Sequence, residues 1–256
     1  MSVAIDLSSS KVLVTGGTRG IGRAIVDTFL AAGAKVAVNG SSEATTTNAL
    51  ADLDAGDRAV AAAGSVASEQ GCRDVVECAV EAMGGLDIVI NNAGVYEGYT
   101  TADTDEEIWD RIVDTNLKGC FFISKHAYPH LEKHGGNIVN IASVNALVGL
   151  RSGAPYGASK SGIISLTRNH AIEFAPRVRV NCVCPGAIDT DMLRYLAEVK
   201  WGTVDAGYEV LGQGIAALKR VGQPEEIAGP VLYLASDLAS FVTGAIHVVD
   251  GGETID

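Results

Sequence analysis

Residues 12–22 read VLVTGGTRGIG, an apolar run that leads into a glycine-rich turn. The residues that follow have the spacing of one apolar helix face: Ala24, Ile25, Phe29 and Leu30. Glycines let a backbone turn tightly and approach a phosphate, and the free N–H groups at a helix start attract the anion. The stretch therefore predicts a strand, a phosphate-binding turn and a helix, which together form the first unit of a nucleotide-binding domain.

Strand-like runs alternate with helix-like segments along the rest of the chain, which is typical of a doubly wound parallel sheet. We predict seven strands, near residues 11–15, 35–39, 58–63, 86–91, 137–142, 178–183 and 245–249. Helices fill the gaps, and the T-x-x-E pattern of residues 104–107 predicts a capping box that starts one of them. The 256 residues, 47% of them apolar, predict a single α/β domain with a Rossmann-like seven-stranded parallel sheet and helices on both faces.

A second motif, YGASK at residues 156–160, places a phenol and an ammonium four residues apart on a predicted helix. Positions i and i+4 share one helix face. A free tyrosine has a pKa of about 10, and a nearby ammonium favours the phenolate and lowers that pKa. The spacing predicts that Tyr156 is a general acid or base assisted by Lys160.

Taken together, these motifs resemble those of the short-chain dehydrogenase/reductase family, in the family's order and over nearly the whole chain. The matching segments are Thr15–Gly22 (T-G-x-x-x-G-x-G), Asn91–Gly94 (N-N-A-G), Asn116 in N-L-K-G, Ser143, Tyr156 with Lys160 (Y-x-x-x-K) and Pro185-Gly186 with Thr190 (P-G-x-x-x-T). The resemblance implies one NAD(P)-binding domain over residues 1–256, with a substrate-covering insertion at about 190–220.

The resemblance also implies roles for four catalytic residues, Asn116, Ser143, Tyr156 and Lys160. Tyr156 would exchange a proton with the substrate oxygen, and Ser143 would stabilise the charge on that oxygen. Lys160 would lower the pKa of Tyr156 and hold the nicotinamide ribose, while Asn116 would help to relay protons through water. The implied cofactor-binding residues are Thr15, Gly16, Thr18, Arg19, Gly20, Ile21, Gly22, Asn39, Gly40, Ser41, Ser42, Ser65, Val66, Asn92, Ala93, Gly94, Tyr156, Lys160, Pro185, Gly186, Ile188 and Thr190.

Three segments depart from the family pattern. Gly64-Ser65-Val66 stands where many members have an aspartate beside the adenine, although Ser65 can still form a hydrogen bond. The segment 173–181 is one residue shorter than usual and lacks the common glycine. Asn145 replaces a small residue and is expected to narrow or polarise the substrate site.

The end of the second predicted strand bears on the choice between NAD and NADP. NAD enzymes of this fold place an acidic residue there, which binds the ribose 2′-hydroxyl and repels a 2′-phosphate. Residues 38–42 read VNGSS, with no acid before Glu43. Arg19 adds a cation to the glycine turn, and the serines can donate hydrogen bonds to a phosphate. We therefore expect NADP(H) to be favoured over NAD(H), although the strand-end arginine of many NADP enzymes is missing.

Composition and charge narrow the class of protein further. A net charge of −12 argues against nucleic acid and anionic membrane partners, which need a basic face. We find no 18-residue apolar run or signal-like leader, and the five cysteines lack the spacing of a disulfide framework. We therefore expect a cytoplasmic protein with reduced thiols.

Two other groups of residues have spacings that resemble metal sites. His126, His130 and His134 have i, i+4, i+8 spacing on a predicted helix, but Pro129 interrupts it and no further ligands recur at matching spacing. Cys182 and Cys184 share one face of a predicted strand. We favour a partly solvated helix face for the histidines and buried packing for the cysteines, and expect no metal.

The sequence thus predicts an NADP(H)-dependent oxidoreductase that interconverts a ketone and a secondary alcohol. An NAD-dependent alcohol or sugar dehydrogenase and a 3-oxoacyl-carrier-protein reductase remain alternatives, as does a catalytically silent nucleotide-sensing protein. A small free substrate is favoured over an acidic carrier protein, because the chain is itself acidic. We expect a homotetramer, as the family commonly forms, assembled through long helices and the apolar segment 241–249.

Overall fold

The computed structural model describes residues 5–53 and 55–255, and within them it contains seven β-strands and nine α-helices. The strands are β1 (Lys11–Val14), β2 (Lys35–Val38), β3 (Ala59–Ala61), β4 (Ile88–Asn91), β5 (Asn137–Ile141), β6 (Arg179–Pro185) and β7 (Ile246–Val249). The helices are α1 (Gly20–Ala31), α2 (Glu43–Ala51), α3 (Glu69–Met83), α4 (Glu106–Val113), α5 (Gly119–Leu131), α6 (Ala154–Glu173), α7 (Asp191–Trp201), α8 (Val204–Tyr208) and α9 (Pro224–Ala235).

All seven strands form one parallel sheet in the order β3-β2-β1-β4-β5-β6-β7. Each strand lies within two residues of its predicted bounds, so the predicted doubly wound sheet is confirmed. The chain winds outwards in opposite directions from β1 and β4, and ligands of such sheets bind at the carboxyl ends beside this point of reversal.

Helices cover both faces of the sheet, because successive side chains of a strand point to opposite faces. Val12 and Val14 of β1 pack in a core with α1 and α9. Leu13, between them, packs in a second core with α3 and α5. These three strand residues are fully buried, which explains why the strands read as continuous apolar runs in the sequence.

One predicted helix start is wrong by a residue. Asp105, not Thr104, caps α4, and its carboxylate accepts a hydrogen bond from the Ile108 backbone N–H at 2.8 Å. The Thr104 hydroxyl donates instead to the carbonyl of Thr100. A carboxylate at the helix start also interacts favourably with the helix dipole, which a hydroxyl does not.

The segment between β6 and α9 interrupts the alternation of strands and helices, as the sequence predicted. It contains α7, α8 and a wide helical turn at Glu209–Ile215. Met192, Tyr195 and Val199 expose an apolar stripe along α7. None of the helices in the described part of the chain combines the length and the hydropathy that crossing a membrane requires.

Candidate active site

The glycine turn after β1 forms a cradle in which side chains cannot be accommodated. Gly16 and Gly20 have φ angles of 60° and 54°, which favour glycine. A Cβ on Gly22 would lie 2.1 Å from the carbonyl oxygen of Gly16. Arg19, the N-cap of α1, forms no side-chain capping bond, and the first turn of the helix holds no acid. The cradle therefore leaves helix N–H groups for an anion, and it fits the pyrophosphate of a dinucleotide.

Hydrogen bonds between the ends of β1 and β4 hold this cradle. The Thr15 hydroxyl accepts from the backbone N–H groups of Asn92 and Ala93 at 3.0 and 3.1 Å. The Asn92 amide donates to the carbonyls of Thr15 and Gly16, both at 3.0 Å. A Cβ on Gly16 would lie 2.9 Å from the Ala93 Cα. The two predicted motifs thus meet, and Thr15 and Asn92 shape the cradle through its backbone.

The side chain of Asn39 forms hydrogen bonds that stabilise the same region. Its side-chain nitrogen donates to the carbonyls of Ala62 and Gly64 at 2.8 and 3.0 Å, and its oxygen accepts from the Gly16 N–H at 3.2 Å. Asn39 is 2% exposed. The side chain therefore joins the ends of β1, β2 and β3, and it supports the cofactor region rather than offering a free polar group to a ligand.

The adenosine end of the predicted site lies at the start of α2. Ser42 caps α2 and forms a reciprocal pair with Thr45, while Ser41 and Ser65 are exposed and Val66 is buried. A Cβ on Gly40 would lie within 2.9 Å of the Thr18 methyl group and the Thr45 and Thr46 hydroxyls. The backbone at Gly40 is therefore closely covered by these side chains.

Two of the four predicted catalytic residues, Asn116 and Lys160, meet beside Gly94, and Lys160 also lies close to Tyr156. Lys160, on α6, donates from Nζ to the Ile141 carbonyl at 2.8 Å, and this Nζ lies 5.5 Å from the ring centre of Tyr156. A Cβ on Gly94 would lie 3.3 Å from Asn116 Oδ1 and 3.4 Å from Lys160 Nζ. Both of these side chains are almost completely buried. The loop after β4 therefore runs directly past the groups that the sequence predicted to act together.

Asn116 lies in a wide helical turn, Asp114–Lys118, between α4 and α5. Its side chain accepts from the Val95 N–H at 2.8 Å and donates to the Val95 carbonyl at 3.0 Å and to the Ser159 hydroxyl at 3.1 Å. The Asn116 amide is therefore occupied by protein partners, and it joins the loop after β4 to α6.

Ser143 follows β5 and is 9% exposed. Its Oγ accepts a hydrogen bond from the Asn145 backbone N–H at 3.2 Å. A hydroxyl that already accepts one bond still has its proton to donate. Ser143 therefore has a donor available for a substrate oxygen near Tyr156.

The pKa of Tyr156 differs from the sequence-based expectation. Burial raises the pKa of Tyr156 to about 12, and a favourable interaction of Ser143 with the phenolate offsets this only in part. Burial also lowers the pKa of Lys160 to about 8. The predicted lowering of the Tyr156 pKa is thus wrong for the protein alone, because desolvation of the phenolate is the largest effect on that pKa.

The loop after β6 approaches the glycine turn from the other side. Thr190 caps α7, and its methyl group lies 3.2 Å from where a Cβ on Gly20 would be. Pro185 and Ile188 are buried, and a Cβ on Gly186 would lie 2.7 Å from the carboxylate of Glu253. The third predicted motif therefore lies beside the first, on the same edge of the sheet.

Three features at this edge were not predicted from the sequence. Tyr96 packs against Tyr156 with its ring centre 5.1 Å away. Glu253 accepts from the Ala187 N–H at 3.0 Å. The third feature is a cluster in which the Asp189 carboxylate accepts hydrogen bonds from Arg194 at 2.7 Å and Tyr208 at 2.6 Å. The Tyr96 and Glu253 contacts join residues far apart in the chain, and the Asp189 cluster joins a loop to two helices. The sequence contains no periodic signal for any of these contacts.

The histidine and cysteine groups differ in position: Cys184 of β6 lies beside Ser143 and Lys160, whereas the histidines lie on α5 and beyond its end. Helix α5 continues through Pro129 and ends at Leu131, so His134 lies beyond it and the predicted three-histidine helix face does not form. Cys182 and Cys184 are completely buried on β6, in a cluster that includes Cys120, as predicted for packing residues. Across residues 5–53 and 55–255 no group of three possible ligand side chains is placed to hold a metal ion.

Comparison with known proteins relates the whole chain to dehydrogenases and reductases. Residues 16–254 match the model of a family described as enoyl-(acyl carrier protein) reductase. The chain is 36% identical over 251 residues to the L-rhamnose 1-dehydrogenase (NAD(P)(+)) of Sphingomonas sp. strain SKA58, with 96% of each protein covered. It is also 36% identical over 253 residues to the 3-oxoacyl-[acyl-carrier-protein] reductase of Chlamydia pneumoniae, which covers 98% of this chain and 99% of that protein.

A solved structure supports the same relationship. The glucose/ribitol dehydrogenase from Brucella melitensis, described as a short-chain dehydrogenase/reductase, superposes with a TM-score of 0.90 and 32% sequence identity. The superposition covers all of both chains.

Proposed function

Because the chain belongs to the short-chain dehydrogenase/reductase family, we propose that it is an NADP(H)-dependent oxidoreductase that interconverts a ketone and a secondary alcohol, with Tyr156 as general acid and base. Family membership makes the chain a dehydrogenase or reductase acting on CH–OH groups. The cofactor preference, the residue roles and the substrate are the proposal. The observation that carries it is that Lys160 meets Asn116 beside Gly94 while its Nζ lies 5.5 Å from the ring centre of Tyr156.

A bound nicotinamide would supply or accept the hydride. Tyr156 would donate its proton to the carbonyl oxygen during reduction and remove it from the hydroxyl during oxidation. Ser143, with its proton available, would donate a hydrogen bond to the same oxygen as charge develops on it. Lys160 Nζ uses one N–H on Ile141, which leaves two for the cofactor ribose.

The high pKa of Tyr156 has opposite consequences for the two directions. Reduction needs the protonated phenol, and a pKa of about 12 keeps it protonated near neutral pH. Oxidation needs the phenolate, so its rate is expected to rise as the pH rises towards that pKa.

Residues 190–220 are proposed to cover the substrate. The Asp189 carboxylate bonds to Arg194 of α7 and to Tyr208 of α8, and these bonds tie the segment to the loop that holds Ile188 and Thr190. The segment that covers the substrate and the loop after β6 would therefore move together.

A sugar alcohol is the strongest alternative substrate, because a rhamnose dehydrogenase and a glucose/ribitol dehydrogenase are among the similar proteins. With such a substrate, NAD would be an alternative cofactor. The similarity to a carrier-protein reductase keeps a carrier-bound substrate open, but a net charge of −12 disfavours docking of a strongly acidic carrier.

The preference for NADP(H) rests on the region around Arg19. The Arg19 side chain is 79% exposed, and its guanidinium nitrogen lies 4.0 Å from a carboxylate oxygen of Asp191. An ion pair this long and solvated is weak, so the guanidinium is free to bind a phosphate. The end of β2 carries no acid before Glu43 that would repel this phosphate. Ser41 and Ser42, which follow β2, are exposed.

Arg19→Ala is expected to raise the KM for NADPH about fivefold to tenfold and to leave the KM for NADH nearly unchanged, because only NADPH carries the 2′-phosphate. Arg73→Ala is the matched control, since Arg73 also lies 4.0 Å from a carboxylate but on the distant helix α3. Steady-state kinetics with both cofactors decides the question. Equal effects on NADPH and NADH would show that Arg19 does not recognise the phosphate.

A carboxylate introduced just after β2 tests the same preference from the opposite direction. Gly40 is a poor position for it, because the Thr45 and Thr46 hydroxyls would crowd the new Cβ. Ser41→Asp avoids this crowding, since Ser41 is exposed. This variant should shift the preference towards NADH.

We further propose a cytoplasmic homotetramer. The free cysteines among the described residues agree with a reducing compartment. Strand β7 lies at one edge of the sheet, and the fully exposed Phe241 and the exposed Ile172 and Leu238 are apolar groups suited to an interface.

Light scattering at micromolar concentration should give the mass of four chains. Phe241→Asp should reduce that mass, because a charge would be buried in the interface. Glu43→Gln changes an exposed residue of α2, a helix that packs near the opposite edge strand β3, and should leave the mass unchanged. A wild-type protein that is only monomeric would contradict the proposed assembly.

A further inference from the structure

We propose that Tyr96 is a positioning residue for Tyr156: it fixes the catalytic phenol and shields it from water. The inference rests on the proposed function, in which Tyr156 exchanges the proton. Tyr96 lies two residues beyond Gly94, in a segment that carries no motif in the sequence.

The two rings form an edge-to-face pair. Their centres are 5.1 Å apart and their planes meet at 89°, which is a favourable geometry for two aromatic rings. Both side chains are partly buried. Tyr96 therefore covers part of the surface that Tyr156 would otherwise expose to water.

The position of Tyr96 is set by the same residues that hold the catalytic centre. The side chain of Asn116 bonds to both the N–H and the carbonyl of Val95, the residue directly before Tyr96. It also donates to Ser159, whose hydroxyl donates to the backbone carbonyl of Tyr156 at 2.7 Å. A closed path of contacts thus runs from Tyr156 through Ser159, Asn116 and Val95 to Tyr96, and back to Tyr156 through the ring pair.

A second contact holds the other end of the Tyr96 side chain. Its hydroxyl donates to the carbonyl of Ser152 at 3.4 Å, a long hydrogen bond. Ser152 has a φ of 61°, an uncommon conformation for a residue other than glycine. It directly precedes Gly153, the N-cap of α6, which carries Tyr156 and Lys160. Tyr96 therefore joins the loop after β4 to the start of the catalytic helix.

This arrangement has a consequence for proton exchange. Burial raises the pKa of Tyr156, and the Tyr96 ring is one of the groups that bury it. Tyr96 is itself affected, since burial and then the neighbouring Tyr156 raise its pKa. Without the Tyr96 ring, water would reach Tyr156, the phenolate would be better solvated and the pKa of Tyr156 would fall.

The test compares three variants. Tyr96→Leu removes the aromatic ring, Tyr96→Phe keeps the ring and removes only the long hydrogen bond, and Tyr99→Leu makes the same change on a neighbouring exposed tyrosine. Tyr96→Met replaces Tyr96→Leu if circular dichroism shows that the latter does not fold. Two quantities are measured: the pH profile of kcat, and the ultraviolet titration of Tyr156, obtained by subtracting the curve of the same protein carrying Tyr156→Phe.

In the reduction direction, Tyr96→Leu is expected to lower kcat at neutral pH up to about tenfold, the range of an aromatic pair, because the phenol is no longer held in place, and it should shift the titration of Tyr156 to lower pH. The KM for the cofactor should stay unchanged. Tyr96→Phe and Tyr99→Leu should behave like the wild type in both measurements. A purely structural role would lower activity without moving the titration.

An unchanged titration of Tyr156 in folded Tyr96→Leu would overturn this inference, as would an equal shift in Tyr99→Leu. The titration requires no substrate, so it decides the role of Tyr96 even if turnover is not found. A wild-type protein with no turnover on any substrate would instead count against the proposed function.

Discussion

Replacing Tyr156 with phenylalanine is expected to lower kcat by at least about 10²-fold, the usual contribution of a general acid or base. The variant removes only the hydroxyl, so the edge-to-face contact with Tyr96 and the position of Lys160 should remain. Cofactor affinity should be kept, because Lys160 still has N–H groups for the ribose.

Tyr128→Phe provides a matched control for this loss. Tyr128 stacks on Phe174, away from the predicted motifs, and loses the same single atom. Steady-state kinetics and cofactor titration of both variants distinguish loss of proton transfer from an effect that removal of any tyrosine hydroxyl would have. If Tyr156→Phe retained most of the wild-type kcat, another group would have to handle the proton.

The second large effect is expected at Gly22. A Cβ there would lie 2.1 Å from the carbonyl oxygen of Gly16 and 2.5 Å from the Asn92 amide nitrogen. Because one of these atoms belongs to the backbone, Gly22→Ala must displace the glycine turn or the start of α1. We expect affinity for NADPH and NADH to fall together by between about tenfold and 10²-fold, the cost of overpacking a rigid site.

Gly229→Ala is the control for this glycine substitution. Gly229 lies within α9, and a Cβ there would meet no atom within 4 Å. Gly229 is exposed and lies outside the glycine turn, so this variant should keep cofactor affinity. Wild-type cofactor affinity in Gly22→Ala would contradict the role assigned to the glycine turn.

The sheet could be predicted from the sequence because its strands are buried on both faces. Residues such as Val12, Leu13 and Val14 form a continuous apolar run for that reason, and glycines mark where the run ends. The start of α4 differs by one residue from the prediction, since Thr104 and Asp105 are adjacent residues that can both cap a helix.

The candidate site was predictable only where its residues form motifs. Tyr156 and Lys160 share a helix, so their spacing is visible in the sequence, but the desolvation that reverses the expected pKa shift is a property of the folded protein. Asn39 was predicted as a ligand-binding residue, yet its buried side chain forms hydrogen bonds to backbone groups that follow β1 and β3.

Tyr96 shows why the remaining features could not be found from the sequence. It contacts Tyr156, sixty residues later in the chain, and its place depends on the bonds that Asn116 makes to Val95. Glu253 likewise reaches Ala187 through the packing of the chain end against the loop after β6. Such contacts follow from the topology, which brings separate loops to one edge of the sheet.

The central claim is tested most directly by a turnover screen. Wild-type protein is assayed on ketones, secondary alcohols, sugars and a carrier-bound 3-oxoacyl thioester, each with NADP(H) and NAD(H). We predict turnover of a small ketone and alcohol pair, faster with NADP(H) than with NAD(H) and faster than with the carrier-bound thioester. Saturable cofactor binding without turnover on any member of the panel would contradict the claim and indicate a nucleotide-sensing protein.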